Sequence, residues 1–308
     1  MRKFIFKILA FSLPLFSCLL IADYILSEEI KQSNERMIES WYDLMHSKID
    51  ADIVVMGSSR AWVQINPLIL DSVLGVKTYN LGIDGSSANR QIHKYNLYRK
   101  YNRKPQIILQ NIDIWAMGNG TGYEREQLFP YFWDRNVRKE FFDSEPYTVW
   151  EKYLPMFRFR DFRPLEKEPK CLIKGYQGQD KHWDGTKFEK IKEIAFYAND
   201  TTAKMFDDYL AQAKADGIKV ILFYAPQYIG ATKKTTNQKF MYEWYQQIAN
   251  KYNYPILDYT YMHICYDTTY FYNAMHLNRK GAEIFSDSLA NDLKRLNVTE
   301  FASMKQTQ

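Results

Sequence analysis

Three short stretches carry the side chains that could do nucleophilic and acid–base chemistry. The first is Gly57-Ser58-Ser59-Arg60, directly after the apolar run Ile53–Met56. A tight glycine turn leading into a helix can expose a serine hydroxyl beside backbone N–H groups, which is what a nucleophile and its oxyanion need. The same residues also fit an ordinary strand-to-helix turn with Ser58 or Ser59 as N-cap. The second stretch, Asn80-Leu81-Gly82-Ile83-Asp84-Gly85-Ser86-Ser87, offers glycines that let the backbone approach a ligand and aim an N–H at it. A flexible turn is the plainer reading. The third is His276, followed by Leu277-Asn278 and the start of a helix. An imidazole there is placed to act as a general base near neutral pH, although a lone histidine is more often structural.

Asn273 stands three residues before His276, where a hydrolase would usually keep an aspartate. An asparagine can orient the ring through its side-chain carbonyl, but it brings no charge to stabilise imidazolium. The like change costs ~10⁴ in the turnover of a serine protease. Three outcomes stay open. A Ser59–His276 dyad suffices, with a backbone carbonyl to orient the ring; another carboxylate, Asp84, Asp258 or Asp267, substitutes; or the site binds without turning over.

The elements that must position these residues read as alternating strands and helices. Ile53–Met56 suits a buried strand of a parallel sheet. "VKTYNLGIDGSS" gives a second strand ending at Gly82, "SANRQIHKYNLYRKY" a helix, and "PQIILQNID" a third strand. From Trp115 to about Asn199 the rhythm fails in an aromatic, charged stretch that reads as a functional insertion or lid. Trp115, Trp133 and Trp183 are its candidate ligand-facing aromatics. Helix and strand return at "TTAKMFDDYLAQAKADGIKVILFYAPQ", with Thr201 or Thr202 as cap and Gly217 as stop, and again at "TNQKFMYEWYQQIANKYNYPILDYT". "HLNRKGAEIFSDSLANDLKRL" closes the chain as an amphipathic helix, and residues 298–308 read as a tail. The expectation is one α/β domain over 51–297, a flavodoxin-like α/β/α fold with a central parallel sheet and an insertion at 115–199 after the third strand. Serine, glycine and histidine would then meet at the carboxyl ends of its strands.

Composition narrows the class. The 308 residues allow one large core, and 25% charged residues are ordinary for a globular chain. A net charge of +5, spread along the chain, gives nucleic acid little to bind. The 24 tyrosines, 19 phenylalanines and 7 tryptophans exceed what a core needs, and either line a cleft for flat ligands or sit half-buried at the surface. Cys18, Cys171 and Cys265 show no metal-ligand spacing, and whether the last two pair is not legible. Arg2 and Lys3 precede an apolar run from Phe4 to Ile25, interrupted by Lys7 and Asp23, long enough for a bilayer core of ~30 Å. "LFSC" faintly resembles a lipoprotein cleavage box, but the run continues past Cys18, which favours an uncleaved anchor over 1–26 followed by a stalk over 27–50. The N-terminal positive charge predicts a cytoplasmic N-terminus and an extracytoplasmic domain.

Together "VVMGSSRAW", "YNLGIDGSSANRQ" and "MHLNRKGAEIFSDSLA" resemble the SGNH hydrolases, also called the GDSL lipase/esterase superfamily, and are most like its membrane-anchored branch of cell-envelope acyl-transfer proteins. The resemblance covers most of 51–113 and 201–295; the insertion matches nothing. It implies Ser59 as nucleophile, with Ser58 in place of the family's aspartate, His276 as base with Asn273 beside it, and Ser59 and Gly85 N–H groups as oxyanion donors. The family's further donor, an asparagine, has no clean counterpart, since Asn111 lies one strand position too early. The implied function is an esterase or O-acyltransferase acting on an acylated envelope glycan or similar ester. It needs no metal or organic cofactor, and a membrane-bound O-acyltransferase is a candidate partner. The alternative is an impaired member that binds polysaccharide or that partner.

Overall fold

Four successive apolar residues, Ile53–Met56, can face water on neither side, and in the computed structural model they form β1, buried throughout. The structure describes residues 1–33, 37–118, 125–143, 149–160, 173–186, 188 and 192–297. The tail from residue 298 and Cys171 lie outside the described residues. Two compact units make up the chain: His46–Tyr123 with Leu172–Gln308, and Met1–Met45 with Glu124–Cys171.

The larger unit holds a parallel five-stranded sheet in the order β2-β1-β3-β4-β5, made of Thr78–Asn80, Ile53–Met56, Ile107–Ile112, Lys219–Tyr224 and Ile256–Asp258. That is the flavodoxin-like order, whose ligand crevice opens at the carboxyl ends of β1 and β3, where the winding reverses. Ile53, Val55, Ile107, Leu109, Ile221 and Phe223 face one core together with Ala61, Leu70, Phe285 and Leu289. The covering layer consists of α3 (Ser59–Gln64), α4 (Pro67–Leu74) and α11 (Arg279–Arg295). On the other side α5 (Ala88–Tyr101), α8 (Asp200–Ala215) and α10 (Gln238–Tyr252) pack together, with the short α9 (Ile229–Lys233) following β4. The expected three-layer α/β fold is what the chain adopts, with the long departure between β3 and β4. Two local readings change. The second strand stops at Asn80 rather than Gly82, although Leu81 and Ile83 still donate to Val55 and Gly57 carbonyls at 2.8 and 3.0 Å. The cap of α8 is Asn199, whose side chain accepts from Thr202 N–H at 3.1 Å, not Thr201 or Thr202.

The smaller unit contains α1 (Arg2–Lys31), α2 (Ile38–Met45), a 3₁₀ turn over Arg125–Tyr131, short helical turns α6 (Arg135–Val137) and α7 (Val149–Tyr153), and a further 3₁₀ turn at Phe157–Phe159. Trp41 of α2 is buried, with its indole N–H on Gln127 at 3.0 Å and its ring edge-on to Phe141. Among the described residues α1 is the one helix long and apolar enough to cross a membrane. Its buried positions are confined to Asp23, Ser27 and Ile30. The Asp23 carboxylate accepts from Arg158 Nη1 and Nη2 at 2.7 and 2.5 Å and from Met156 N–H at 2.8 Å. With Arg158 and Asp23 side chains 1% and 5% exposed, this pair is shielded from water.

Removing one member of such a pair leaves a bare buried charge, so Arg158→Met should cost about 3–5 kcal/mol. Asp23→Leu combined with Arg158→Met should recover most of it. Thermal unfolding in detergent, with limited proteolysis of 125–160 as local readout, checks both.

Candidate active site

Position 57 has to be glycine. Its φ is +153°, and a Cβ there would stand 2.5 Å from Asn111 Cβ and 2.7 Å from Ala61 Cβ. The turn carries the chain from β1 straight into α3. Ser58 occupies the N-cap position in an extended conformation, but its hydroxyl does not cap the helix. It donates instead to Asp113 Oδ2 at 2.6 Å. Ser59 is the first residue of α3, where a backbone N–H has no partner within the helix. Its Oγ lies 2.7 Å from His276 Nε2.

The histidine comes from an element the sequence did not reveal, a two-stranded antiparallel hairpin of β6 (Phe271–Asn273) and β7 (His276–Leu277). Asn273 and His276 are cross-strand partners in it. Asn273 Oδ1 accepts the Met275 N–H at 2.9 Å, so the atom there is the carbonyl oxygen, an acceptor. The same oxygen lies 2.9 Å from His276 Nδ1, which must therefore carry the ring proton. Nε2 is left with its lone pair toward the Ser59 hydroxyl, the tautomer a general base requires. Tyr272 stacks on the imidazole at 5.3 Å with 12° between planes.

The ring is set in the right direction without being given a charge. Burial, and next the Arg60 guanidinium, push its pKa from 6.5 down to about 3. Of the carboxylates considered as substitutes, Asp258 Oδ1 takes the Thr260 N–H and Asp267 Oδ1 the Thr269 N–H, both at 2.9 Å, while Asp84 lines the cavity described below. What faces Nδ1 is Asn273.

Two polar residues beside this pair were not expected from the sequence. Arg60 is 2% exposed; its Nη2 donates to Gln227, its guanidinium lies 5.3 Å from the Tyr224 ring centre, and Nη1 finds no acceptor among the described residues. Asp113, just past β3, ties the Gly57–Ser59 turn to the next loop, since Oδ1 accepts the Trp115 N–H at 2.8 Å while Oδ2 holds Ser58. The signal that marks Asp113 in the sequence is a carboxylate at the end of a central strand. Asn111 does not line the cavity: its amide nitrogen is 3.3 Å from the Phe223 carbonyl and its Cβ packs against Gly57.

Ser59 and His276 open into a cavity of about 640 Å³ lined also by Asp84, Gly85, Ile114, Trp115 and Tyr197, within the range of small-molecule sites. Gly85 has φ +63°, so its backbone turns at the cavity wall in a conformation other residues resist. Trp115 and Tyr197 are 51% and 61% exposed, and bring both ends of the sequence-defined insertion to the mouth. Trp183 lines a separate cavity of about 440 Å³ that also touches Asn273. Trp133 belongs to the smaller unit. The Cys265 thiol is buried, which raises its pKa to about 11 and keeps it inert.

No protein-family model matches the sequence, and no curated protein matches it. Among solved structures it is similar to a protein described as lipolytic, of the G-D-S-L family, from Desulfitobacterium hafniense, at 12% identity and TM-score 0.42 over 79% of this chain and 99% of that one. It is similar to an acetyl xylan esterase at 12% identity and TM-score 0.41, over 78% of this chain and 98% of the other. A GDSL-like lipase from Bacteroides thetaiotaomicron is similar at 13% identity and TM-score 0.37, over 78% and 87%. Likeness at this level assigns no family; what the cavity can do is read from its own atoms.

A histidine pKa lowered from 6.5 to about 3 leaves the base unprotonated across the mildly acidic range, so the acid limb of kcat/KM should fall well below 6.5. Folding stability should be indifferent to this group above 6.5 and decline as pH drops from 6.5 toward 3, because the unfolded chain takes the proton first. Asn273→Asp would accept the same Nδ1–H and add negative charge, raising the imidazole pKa. The acid limb should move toward neutrality and turnover should rise by roughly 10-fold or more. A pH–rate profile of the two proteins measures both.

Proposed function

We propose that this chain is a serine esterase or O-acyltransferase of SGNH type, held at a membrane by α1 and acting on an acylated envelope glycan or a similar ester. The observation that carries the reading is the Ser59 hydroxyl at 2.7 Å from an imidazole nitrogen whose opposite nitrogen is fixed by Asn273. The motifs resembling SGNH hydrolases support it independently.

In this reading the Ser59 oxygen attacks the acyl carbonyl while its proton passes to His276 Nε2. The oxyanion formed is held by the Ser59 and Gly85 N–H groups, and Asn111, turned toward Gly57, takes no part. Collapse breaks the ester bond, and the departing alkoxide collects the proton from Nε2, leaving the acyl group on Ser59. Water or a sugar hydroxyl then repeats the steps in reverse, losing its proton to Nε2. The cavity is larger than a two-carbon acyl group needs. Trp115 and Tyr197 give the alcohol portion aromatic surface, as suits a sugar ring.

For α1, the Asp23–Arg158 pair favours a retained anchor over a cleaved signal, because cleavage would remove a member of a buried ion pair. Arg2 and Lys3 favour a cytoplasmic N-terminus and an extracytoplasmic catalytic unit. A membrane-bound O-acyltransferase would be a fitting source of acyl groups. That an amide and not a carboxylate faces His276 Nδ1 favours a second reading, a binding protein for polysaccharide or for that acyltransferase.

A fluorophosphonate probe should label the wild type at Ser59, and Ser59→Ala should abolish labelling and lower ester turnover by roughly 10³ or more. Unchanged cellular function in Ser59→Ala, with no labelling of wild type, would favour the binding protein instead.

A further inference from the structure

Taking α1 as the retained membrane helix proposed above, we infer that α7 and the turn after it rest on the lipid headgroup layer, with Trp150 and Tyr153 seated among the headgroups on the side where α1 emerges. The nineteen residues from Phe4 to Ala22 carry no acidic side chain and, at ~1.5 Å per residue, extend about 29 Å, one hydrocarbon thickness. Asp23 is thus the first position at which the helix leaves the apolar layer. Its carboxylate is where the segment after α7 is fastened, through Met156 N–H at 2.8 Å and Arg158 at 2.7 and 2.5 Å. Three residues of chain reach at most ~11 Å, so the Tyr153 backbone cannot lie farther than that from Met156 and hence from the emergence level. The headgroup region itself is several ångströms deep on each face.

At that level α7 exposes its two aromatics. Trp150 is 62% exposed and Tyr153 70%, and a spacing of three puts them on the same side of the turn. Glu151 between them is turned inward, its carboxylate on Arg160 Nη2 at 2.9 Å, so the acidic member is withdrawn from the outward face. Lys152 is half-buried, and the Arg160 guanidinium lies 4.4 Å from the Phe157 ring centre with its edge in solvent. Aromatic rings with a polar tip, flanked by cations, match an interface that is oily on one side and phosphate-rich on the other. In water the same rings would be an unprotected apolar patch beside an apolar helix. The smaller unit therefore meets the bilayer at two places, α1 through it and α7 upon it, which fixes its tilt.

The test uses full-length protein in phospholipid nanodiscs, wild type against Trp150→Phe, a change that preserves an aromatic ring. The difference in tryptophan emission isolates Trp150. It should lose most of its intensity when the lipids are brominated on the acyl chain near the headgroup, and little with aqueous iodide. Iodide quenching without bromolipid quenching would overturn the inference while leaving the anchor intact. Quenching by neither would mean that protein covers the face, and would overturn it too. Protein that fails to co-float with liposomes would overturn the anchor reading, and this one with it. Protease resistance of 125–160 in both proteins checks that the variant is folded.

Discussion

A single carbonyl oxygen, Asn273 Oδ1, decides what the Ser59–His276 pair can do. It is claimed from one side by the Met275 N–H and from the other by the imidazole Nδ1–H, both at 2.9 Å. Because the backbone donor cannot change its nature, the amide cannot flip without losing a bond, and the ring keeps one tautomer. An aspartate in a triad does two things: it orients the ring and it stabilises the proton the ring receives. The hairpin here separates them, keeping the first and omitting the second. Arg60 accentuates the separation by adding positive charge on the wrong side for imidazolium.

The negative charge missing from position 273 has not vanished from the neighbourhood. Asp113 carries it at the end of β3, where it binds the Ser58 hydroxyl and the Trp115 N–H. There it holds the geometry of two loops. The family resemblance would put an acidic group at 58 and an amide near the end of the third strand; this chain has a hydroxyl at 58 and the acid across from it. In this chain the Ser58–Asp113 hydrogen bond is what joins the two strand ends.

How much of this could be read from the sequence follows from the range of each interaction. The buried strand Ile53–Met56, the glycine turn and the closing helix were legible because burial on both sides, positive φ and amphipathic spacing leave local marks. So was the meeting of Ser59 with His276, since strand ends of one parallel sheet must converge at a common rim. The β6–β7 hairpin was not, because strands of three and two residues show no periodicity, and β7 packs against α3, which lies far earlier in the chain. Asp113 and Arg60 were missed for a related reason: a polar residue's role depends on which distant atoms surround it. Ser58 looked like a helix cap, and only the proximity of Asp113, 55 residues on, assigns its hydroxyl elsewhere.

The fastening of α1 has a consequence for synthesis. Arg158 follows Asp23 by 135 positions, and β1, β2 and β3 all lie between them. In the membrane-anchored reading proposed above, the apolar helix would reach a bilayer long before its counter-ion exists. During that interval the carboxylate would have to stay in water, so in that reading the helix sits shallow until the middle of the chain arrives to draw it into register.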